Sequence, residues 1–479
     1  MLRRRNRNRG CVFLFVKIYR GGTAGRRSIP DSRSSFSQEM AAASPPLPSP
    51  DTATAAPIES LPAAMLDEIL SHLPIRDAAR TSVLSRAWRR RWEPVPYRFL
   101  DLPLGIPADT VDHILAHCAY PVHEFRHPHV PEPDFGRFNP WLLRLAAVGV
   151  RSISVEFEWS NIIRIEGGDV TLPHIHMLHS CILSCRQLAT LDLVGCSIPS
   201  PPPCLVGLPS LTTLRLSKVA FPQGVKGLES LISSSPWLRT LQLERLSIPF
   251  VEVDDDGGMY EQWVINAPNL QCLRIISMYD YGWHFSGLPF LEVADMSGID
   301  SGFYGDDRDF LMLISSFNQA RKLKLTMPFT WDDDLEGLSP SFENLKSLSL
   351  QTQLCFPASI LNILCVVRNA PKLEVFEIEL PYYVNKPDEV GIDFLHAQCA
   401  DDLFSNLTNV RIKGAICGRN EMVFIELVLS KATQLEAFDV CLSKDCSWSV
   451  EDALAEVAQY GRASPGAHVT IRHHQHFTP

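Results

Sequence analysis

No C-x-x-C pair occurs in the 479 residues, although there are 13 cysteines. An odd, scattered set of this kind is not a disulfide framework, and it points to a reducing intracellular compartment. Cys196 and Cys272 fall at apolar positions, where a thiol serves as a small hydrophobe. No apolar run approaches the roughly 20 residues that cross a bilayer. The longest early run, residues 11–16, is far too short, so no membrane partner is expected. There is no G-x-x-x-x-G-K-[ST] phosphate loop and no G-x-S-x-G elbow; one H-E-x-x-H string occurs, His123 to His127, but it falls within the strand phrase at Val122 and not on a helix. Nothing suggests bond chemistry, and no catalytic residue, cofactor or metal is expected. Positive charge is in deficit, with 44 Lys/Arg against 54 Asp/Glu and a net charge of −10. That balance opposes nucleic acid as a partner of the folded part.

The charge is unevenly placed. Residues 1–39 carry ten Lys/Arg and two Asp/Glu, which leaves −18 for the remainder. This Arg-rich head has the composition of a transit peptide, a nuclear signal or a polybasic arm, and the alternative is an upstream extension ahead of Met40. Residues 41–57 are rich in Ala, Pro, Ser and Thr and are expected to form a flexible tether, so that 1–55 is a disordered basic and Pro-rich region.

What is present begins at residues 58–92, IESLPAAMLDEILSHLPIRDAARTSVLSRAWRRRW. Leu66, Ile69, Leu70 and Leu73 fall at i, i+3, i+4 and i+7, one apolar helical stripe. Pro62 sits at the start of that helix and Pro74 closes it. Asp77 is placed to cap a second helix and Ser85 a third. Three short helices make too small a core to stand alone, so the piece is expected to dock onto something. The order Leu61-Pro62, Leu66, Ile69-Leu70, Leu73-Pro74, Asp77, Arg80, Val83-Leu84-Ser85-Arg86 and Trp88-Arg89 resembles the F-box of plant F-box proteins with leucine-rich repeats. The resemblance implies an F-box over 56–98 that binds a Skp-type adaptor, and through it a cullin. It implies contacts from Leu61, Pro62, Leu66, Ile69, Leu70, Pro74, Val83 and Leu84.

Beyond that segment an apolar phrase, L-x-x-L-x-L, keeps returning. It reads LATLDL at Leu188, LTTLRL at Leu211, LRTLQL at Leu238, LQCLRI at Leu270, LKSLSL at Leu345, LEVFEI at Leu373, LTNVRI at Leu407 and LEAFDV at Leu435. Weaker copies start at Val150, Leu291 and Ala320, and a doubtful one at Val122, where His127 holds an apolar place. The mean spacing is about 28 residues, within the leucine-rich-repeat range. The copy at Leu188 runs on to Cys196 and Ile198 and completes the longer repeat pattern. Alternation makes each phrase a short strand with one set of side chains inside and the other outside. One repeat cannot bury its leucines alone, so neighbours stack. The expected fold is α/β: a small three-helix F-box, then an irregular solenoid over 99–392 with a parallel sheet on its concave face.

Residues 393–472 resemble the FBD region that ends many plant proteins of this kind, with strand, helix (about residues 421–430) and strand in order. This region is placed to cap the solenoid, and 473–479 is a tail. Other clusters carry less. His174, His176, His179, Cys181 and Cys185 lack a standard zinc spacing and read as a mixed helix face. Glu252, Asp254 and Asp256 open like a calcium loop, but Trp263 stands where a bidentate Glu is needed. Residues 332–334 read as a solvated loop, His473, His474 and His476 as a mobile tail, and Arg86, Arg89, Arg90 and Arg91 as the polar face of the last F-box helix.

The reading is a non-catalytic substrate receptor of a Skp-cullin-F-box ubiquitin ligase, cytoplasmic or nuclear, which brings a target protein to ubiquitination and degradation. The alternative is a repeat scaffold without ubiquitin transfer. Target contacts are expected from the outward strand positions Thr190, Asp192, Thr213, Arg215, Thr240, Gln242, Cys272, Arg274, Glu377 and Glu379. Their mixed chemistry suits a protein or peptide.

Overall fold

In the computed structural model the described residues are 61–73, 75–86, 88, 91, 99–117, 122–159, 164–166, 169–171, 175–200, 207–222, 224–247, 263–277, 283–298, 310–327, 338, 341–381, 392–398 and 403–473. The basic head, the tether, Pro74, Arg89, Arg90, His174, the acidic run at 252–256, residues 332–334, His474 and His476 lie outside them.

The twelve repeated phrases become strands of one sheet, which has one further strand at each end. In chain order they are β1 (Phe99–Asp101), β2 (Glu124–Val130), β3 (Ser152–Phe157), β4 (Thr190–Val194), β5 (Thr213–Ser217), β6 (Thr240–Glu244) and β7 (Cys272–Ile276). There follow β8 (Val293–Ser297), β9 (Lys322–Thr326), β10 (Ser347–Gln351), β11 (Val375–Glu379), β12 (Asn409–Ala415), β13 (Ala437–Leu442) and β14 (His468–His473). All fourteen pair parallel, and each neighbours the strand before and after it in the chain. The molecule is thus a mixed α/β structure with a large parallel sheet, consistent with an F-box joined to leucine-rich repeats. The pairing continues without a break from β11 into β12, across residue 392.

Hydrophobic burial sets this order. Places four and six of each phrase face inward, as in Leu191 and Leu193, Leu241 and Leu243, or Phe376 and Ile378, all buried. The leading residue of each phrase, Leu188, Leu211, Leu238, Leu270 or Leu345, is buried as well. Burying one such side chain contributes roughly 1.5–3 kcal/mol. Because equal places pair across strands, Leu191 with Leu214 and Leu214 with Leu241, the leucines stack in continuous layers. The returning segments carry helices where length permits, among them Phe135–Ala147, Val225–Ser233, Pro357–Arg368 and Arg419–Lys431. In Pro357–Arg368 the proline occupies the first helical position, and Ile360, Ile363, Leu364 and Val367 are buried.

The doubtful phrase at Val122 is a genuine strand. Phe125 and His127 take the inward places of β2, and His127 is 2% exposed. Its ring stacks on Trp141 at 5.9 Å and 12°. Burial, with a smaller push from His129, lowers its pKa to about 4, so the imidazole is neutral in the core. At the far end of the chain, Glu421 is buried at the start of the helix Arg419–Lys431. Its carboxylate accepts from the N–H groups of Ile416 at 2.9 Å and Gly418 at 3.4 Å. Burial raises its pKa to about 7 in spite of those donors.

The completed repeat at Leu188 turns on a glycine. Gly195 has φ +73°, and a Cβ there would lie 2.8 Å from the Phe157 carbonyl oxygen. The turn delivers Cys196 and Ile198 into the core. Gly195→Ala is expected to cost about 1–3 kcal/mol, from the left-handed backbone and the close approach; an unchanged urea midpoint would contradict this. His127 gives a pH prediction. The unfolded histidine takes up a proton near pH 6.5 and the native one only near 4, so stability is full above about 6.5 and falls as pH drops toward 4. His127→Leu, which restores the repeat's apolar residue, is expected to remove roughly 3 kcal/mol of that acid sensitivity at most. Parallel stability–pH curves for the two proteins would refute it.

Candidate functional site

The first candidate surface is built on α1 (Ala63–Ser71) and α2 (Ile75–Arg80), followed by a 3-10 turn, Thr81–Val83. Pro62 sits one residue before α1, at φ −54° and ψ 145°, and its carbonyl accepts from the N–H groups of Met65 and Leu66. The apolar stripe faces the core. Leu66 is 4% and Leu70 0% exposed, while Leu61 and Leu73 pack partly against the same core, with Ala78 and Trp88 inside it. Leu66 and Leu70, expected as contacts, are thus buried within the segment's own core. Met65, Ile69, Val83 and Leu84 are exposed, Val83 by 82%, and Pro62 is exposed beside them in sequence.

One further expectation changes. Asp77 does not precede α2 but lies inside it, paired with Arg80 at 3.0 Å. The third helix expected after Ser85 lies mostly outside the described residues. Trp88 and Arg91 make turn bonds, to the carbonyls of Ser85 and Trp88 respectively. Arg91 is not a free polar residue: it donates to the Ala63 carbonyl at 2.8 Å and lies 3.2 Å from Asp67, which ties the end of the segment to its first helix. Sequence reasoning passed over Met65, although it stands four residues before Ile69 and so shares its helix face.

The second candidate surface is the outward set of strand positions, whose half-buried residues alternate with the buried ones. Register places Thr190, Thr213, Thr240 and Cys272 in one row across β4–β7. The fifth place of each phrase forms a second row: Asp192, Arg215, Gln242 and Arg274 side by side. Glu377 lies in this row and Glu379 in the next, both on β11, four strands beyond β7 and therefore roughly 19 Å away at ordinary strand spacing. The same row contains residues not foreseen: Arg126, Ser154, Asp295, Lys324, Arg411 and Asp439. Each is the fifth residue of its phrase, so the signal was present.

Charges in this row tend to meet opposite charges on neighbouring strands. Arg126 lies 3.9 Å from Asp101, Arg274 3.4 Å from Asp295, and Arg411 3.3 Å from Asp439 and 3.9 Å from Glu377. Lys413 also pairs with Glu377. Arg215 donates to Gln242 at 3.2 Å. Burial raises the pKa of Asp192, against the opposing pull of Arg215, a bond from Ser154 and the charge of Arg126.

The histidine–cysteine cluster is not a helix face. His176 is buried on a two-residue strand against Phe157, at 5.0 Å, and Phe135, at 5.5 Å. His179 caps a 3-10 turn by accepting from the Cys181 N–H. Among the described residues no group of three or more His, Cys, Asp or Glu is arranged to hold a metal ion, and no helix is long and apolar enough to cross a membrane.

Comparison with known proteins agrees with this geometry. Residues 58–100 match the F-box domain family. The Arabidopsis thaliana F-box/FBD/LRR-repeat protein At1g13570 is 25% identical over 436 residues, covering 86% of this chain and 97% of its own length. F-box/LRR-repeat protein 13 of the same plant is 26% identical over 457 residues, with 86% and 96% covered. A further F-box/FBD/LRR-repeat protein, At1g78750, is 25% identical over 468 residues, with 86% and 96% covered. The chain therefore carries an F-box domain and, over most of its length, has homologues among the F-box/FBD/LRR-repeat proteins of Arabidopsis.

Proposed function

We propose that the protein is the substrate receptor of a Skp-cullin-F-box ubiquitin ligase. The observation that carries this is the F-box match at 58–100 together with the exposed apolar set on that segment. Exposed aliphatic side chains on so short a piece favour burial against a partner. The docking face consists of Pro62, Met65, Ile69, Val83 and Leu84, with Leu61 at its margin, and Pro74 belongs with it by sequence position. Leu66 and Leu70 support it from inside. A Skp-type adaptor binds there and brings the cullin.

The repeats form a solenoid whose outward strand positions hold a target protein, and the FBD-like region over 393–472 closes its far end. No residue of this chain transfers ubiquitin. Holding the target near a charged enzyme raises its effective concentration, and that proximity is the whole contribution. The complex works in the cytoplasm or nucleus and commits the target to proteasomal degradation.

Val83→Asp/Leu84→Asp is expected to abolish capture of a Skp-type adaptor in a pull-down, a loss of at least about 2 kcal/mol of binding, with the unfolding midpoint unchanged because both residues are exposed. Undiminished capture would sink the adaptor assignment. Leu61→Ala/Pro62→Ala is expected to weaken it as well. A partner that co-purifies and accumulates when the proteasome is blocked supports the ligase, whereas one whose level does not change favours a non-degradative scaffold.

A further inference from the structure

The outward face of the sheet is not electrically uniform. Outside β5–β9 its cations are largely matched by carboxylates: Arg126 by Asp101, Arg411 by Glu377 and Asp439, Lys413 by Glu377. Lys346, just before β10, is matched by Glu374 at 2.6 Å. Across β5–β9 the matching fails. The outward positions of these five strands, with the residue that follows each, carry six cations (Arg215, Lys218, Arg245, Arg274, Lys322 and Lys324) against two carboxylates, Glu244 and Asp295. Only Arg274 among the six has a carboxylate within salt-bridge reach among the described residues, and its partner is Asp295. With Asp192 counted, which lies beside Arg215 on β4, a local excess of three positive charges remains among the described residues, in a chain whose net charge is −10.

Backbone geometry adds to the oddity. Lys218 and Arg245 directly follow adjacent strands with φ of +54° and +49°, a left-handed conformation that favours glycine. The equivalent position after β4 is a glycine, Gly195, and after β8 it is Gly298. Two long cations thus replace the small residue that this turn prefers, and they do so side by side.

The space between the cations suits an extended chain. Thr213, Thr240, Cys272 and Val293 form an uncharged row of small side chains that leads to Lys322, and Lys218 and Arg245 lie five residues further along their strands. Four strand-to-strand steps and three residues along the strand separate Lys218 from Lys324, a diagonal of roughly 21 Å, the length of about six residues of extended peptide. We propose that this part of the sheet binds an acidic segment of a target protein, laid across the strands with its carboxylates on Lys218 and Arg245 at one end and Lys322 and Lys324 at the other. Unpaired cations near one another create a field that steers such a segment in and sets its register. The inference rests on the target-receptor reading and gives the partner's chemistry.

The test uses the full chain and fluorescein-labelled hexaglutamate, with hexaglutamine as the neutral probe. Anisotropy is expected to report binding of hexaglutamate alone, weakening between about 50 and 300 mM salt. Lys322→Glu/Lys324→Glu is expected to weaken it by at least about tenfold, and Lys226→Glu, on the exposed face of a returning helix, to leave it unchanged. Equal losses in the two variants, equal binding of hexaglutamine, or tighter binding of an oligothymidylate of similar length would overturn the proposal. So would hexaglutamate binding that emerges only when Asp254, Asp255 and Asp256 are changed to Asn, which would make the chain's own acidic run the occupant. Adaptor capture by the Lys322→Glu/Lys324→Glu protein separates the two readings: if it persists while hexaglutamate binding never appears, the acidic-segment assignment alone falls. If hexaglutamate binds as expected and adaptor capture is absent even from the unaltered chain, the ligase reading alone falls.

Discussion

Register is the constraint on which the rest depends. Two inward side chains per strand must meet the same two places on the strands either side, fourteen strands in succession. A slip of one residue anywhere would turn leucines outward and charges inward, at a cost no local rearrangement repays. Burial therefore locks every pairing, and the polar surface follows passively. Asp192 comes beside Arg215, and Arg411 between Glu377 and Asp439, because the leucines on the other face leave no other arrangement. The ion pairs that result are mostly exposed and individually weak. They report the register more than they enforce it.

The return segments are free to vary for the same reason. As each strand needs only its neighbours, the chain between phrases can hold a helix such as Pro357–Arg368 or a short 3-10 turn such as Ser180–Ser184 without disturbing the ladder. Variation in spacing is absorbed outside the sheet. At two places the core accepts a titratable group, and in each burial shifts the pKa toward the uncharged form: His127 down to about 4 and Glu421 up to about 7. A neutral imidazole can stack on Trp141 as an aromatic ring would, which explains how a histidine stands in a leucine's place.

Much of this was legible in the amino-acid order. The phrase located every strand from β2 to β13, because period-two alternation anchored on leucine is a strong signal when it recurs. It missed β1, where only Phe99, Leu100 and Asp101 pair, and β14, whose HVTIRH opens on a histidine. Residues 174–185 were misread as a helix because Leu178, Ile182 and Leu183 have helical spacing, yet the segment is a short strand and a 3-10 turn. The F-box was legible as a string, but a string does not divide its apolar residues between core and surface. Leu66 and Ile69 look alike in sequence; only packing shows that one is buried and the other exposed. The charge row was readable from the fifth place of each phrase, whereas its pairing needed the strand neighbours.

The end strand β1 offers a last point. It is three residues long, it has a sheet partner on one side only, and α2 packs against it. A parallel sheet with a bare flank presents unpaired N–H and C=O groups to any other extended chain, the usual starting point for sheet-to-sheet aggregation. The segment that carries the outward apolar face thus also shields the sheet's first flank. A shortened protein beginning after the F-box would lose more than its docking piece: it would exchange a covered strand for a template on which further copies can add.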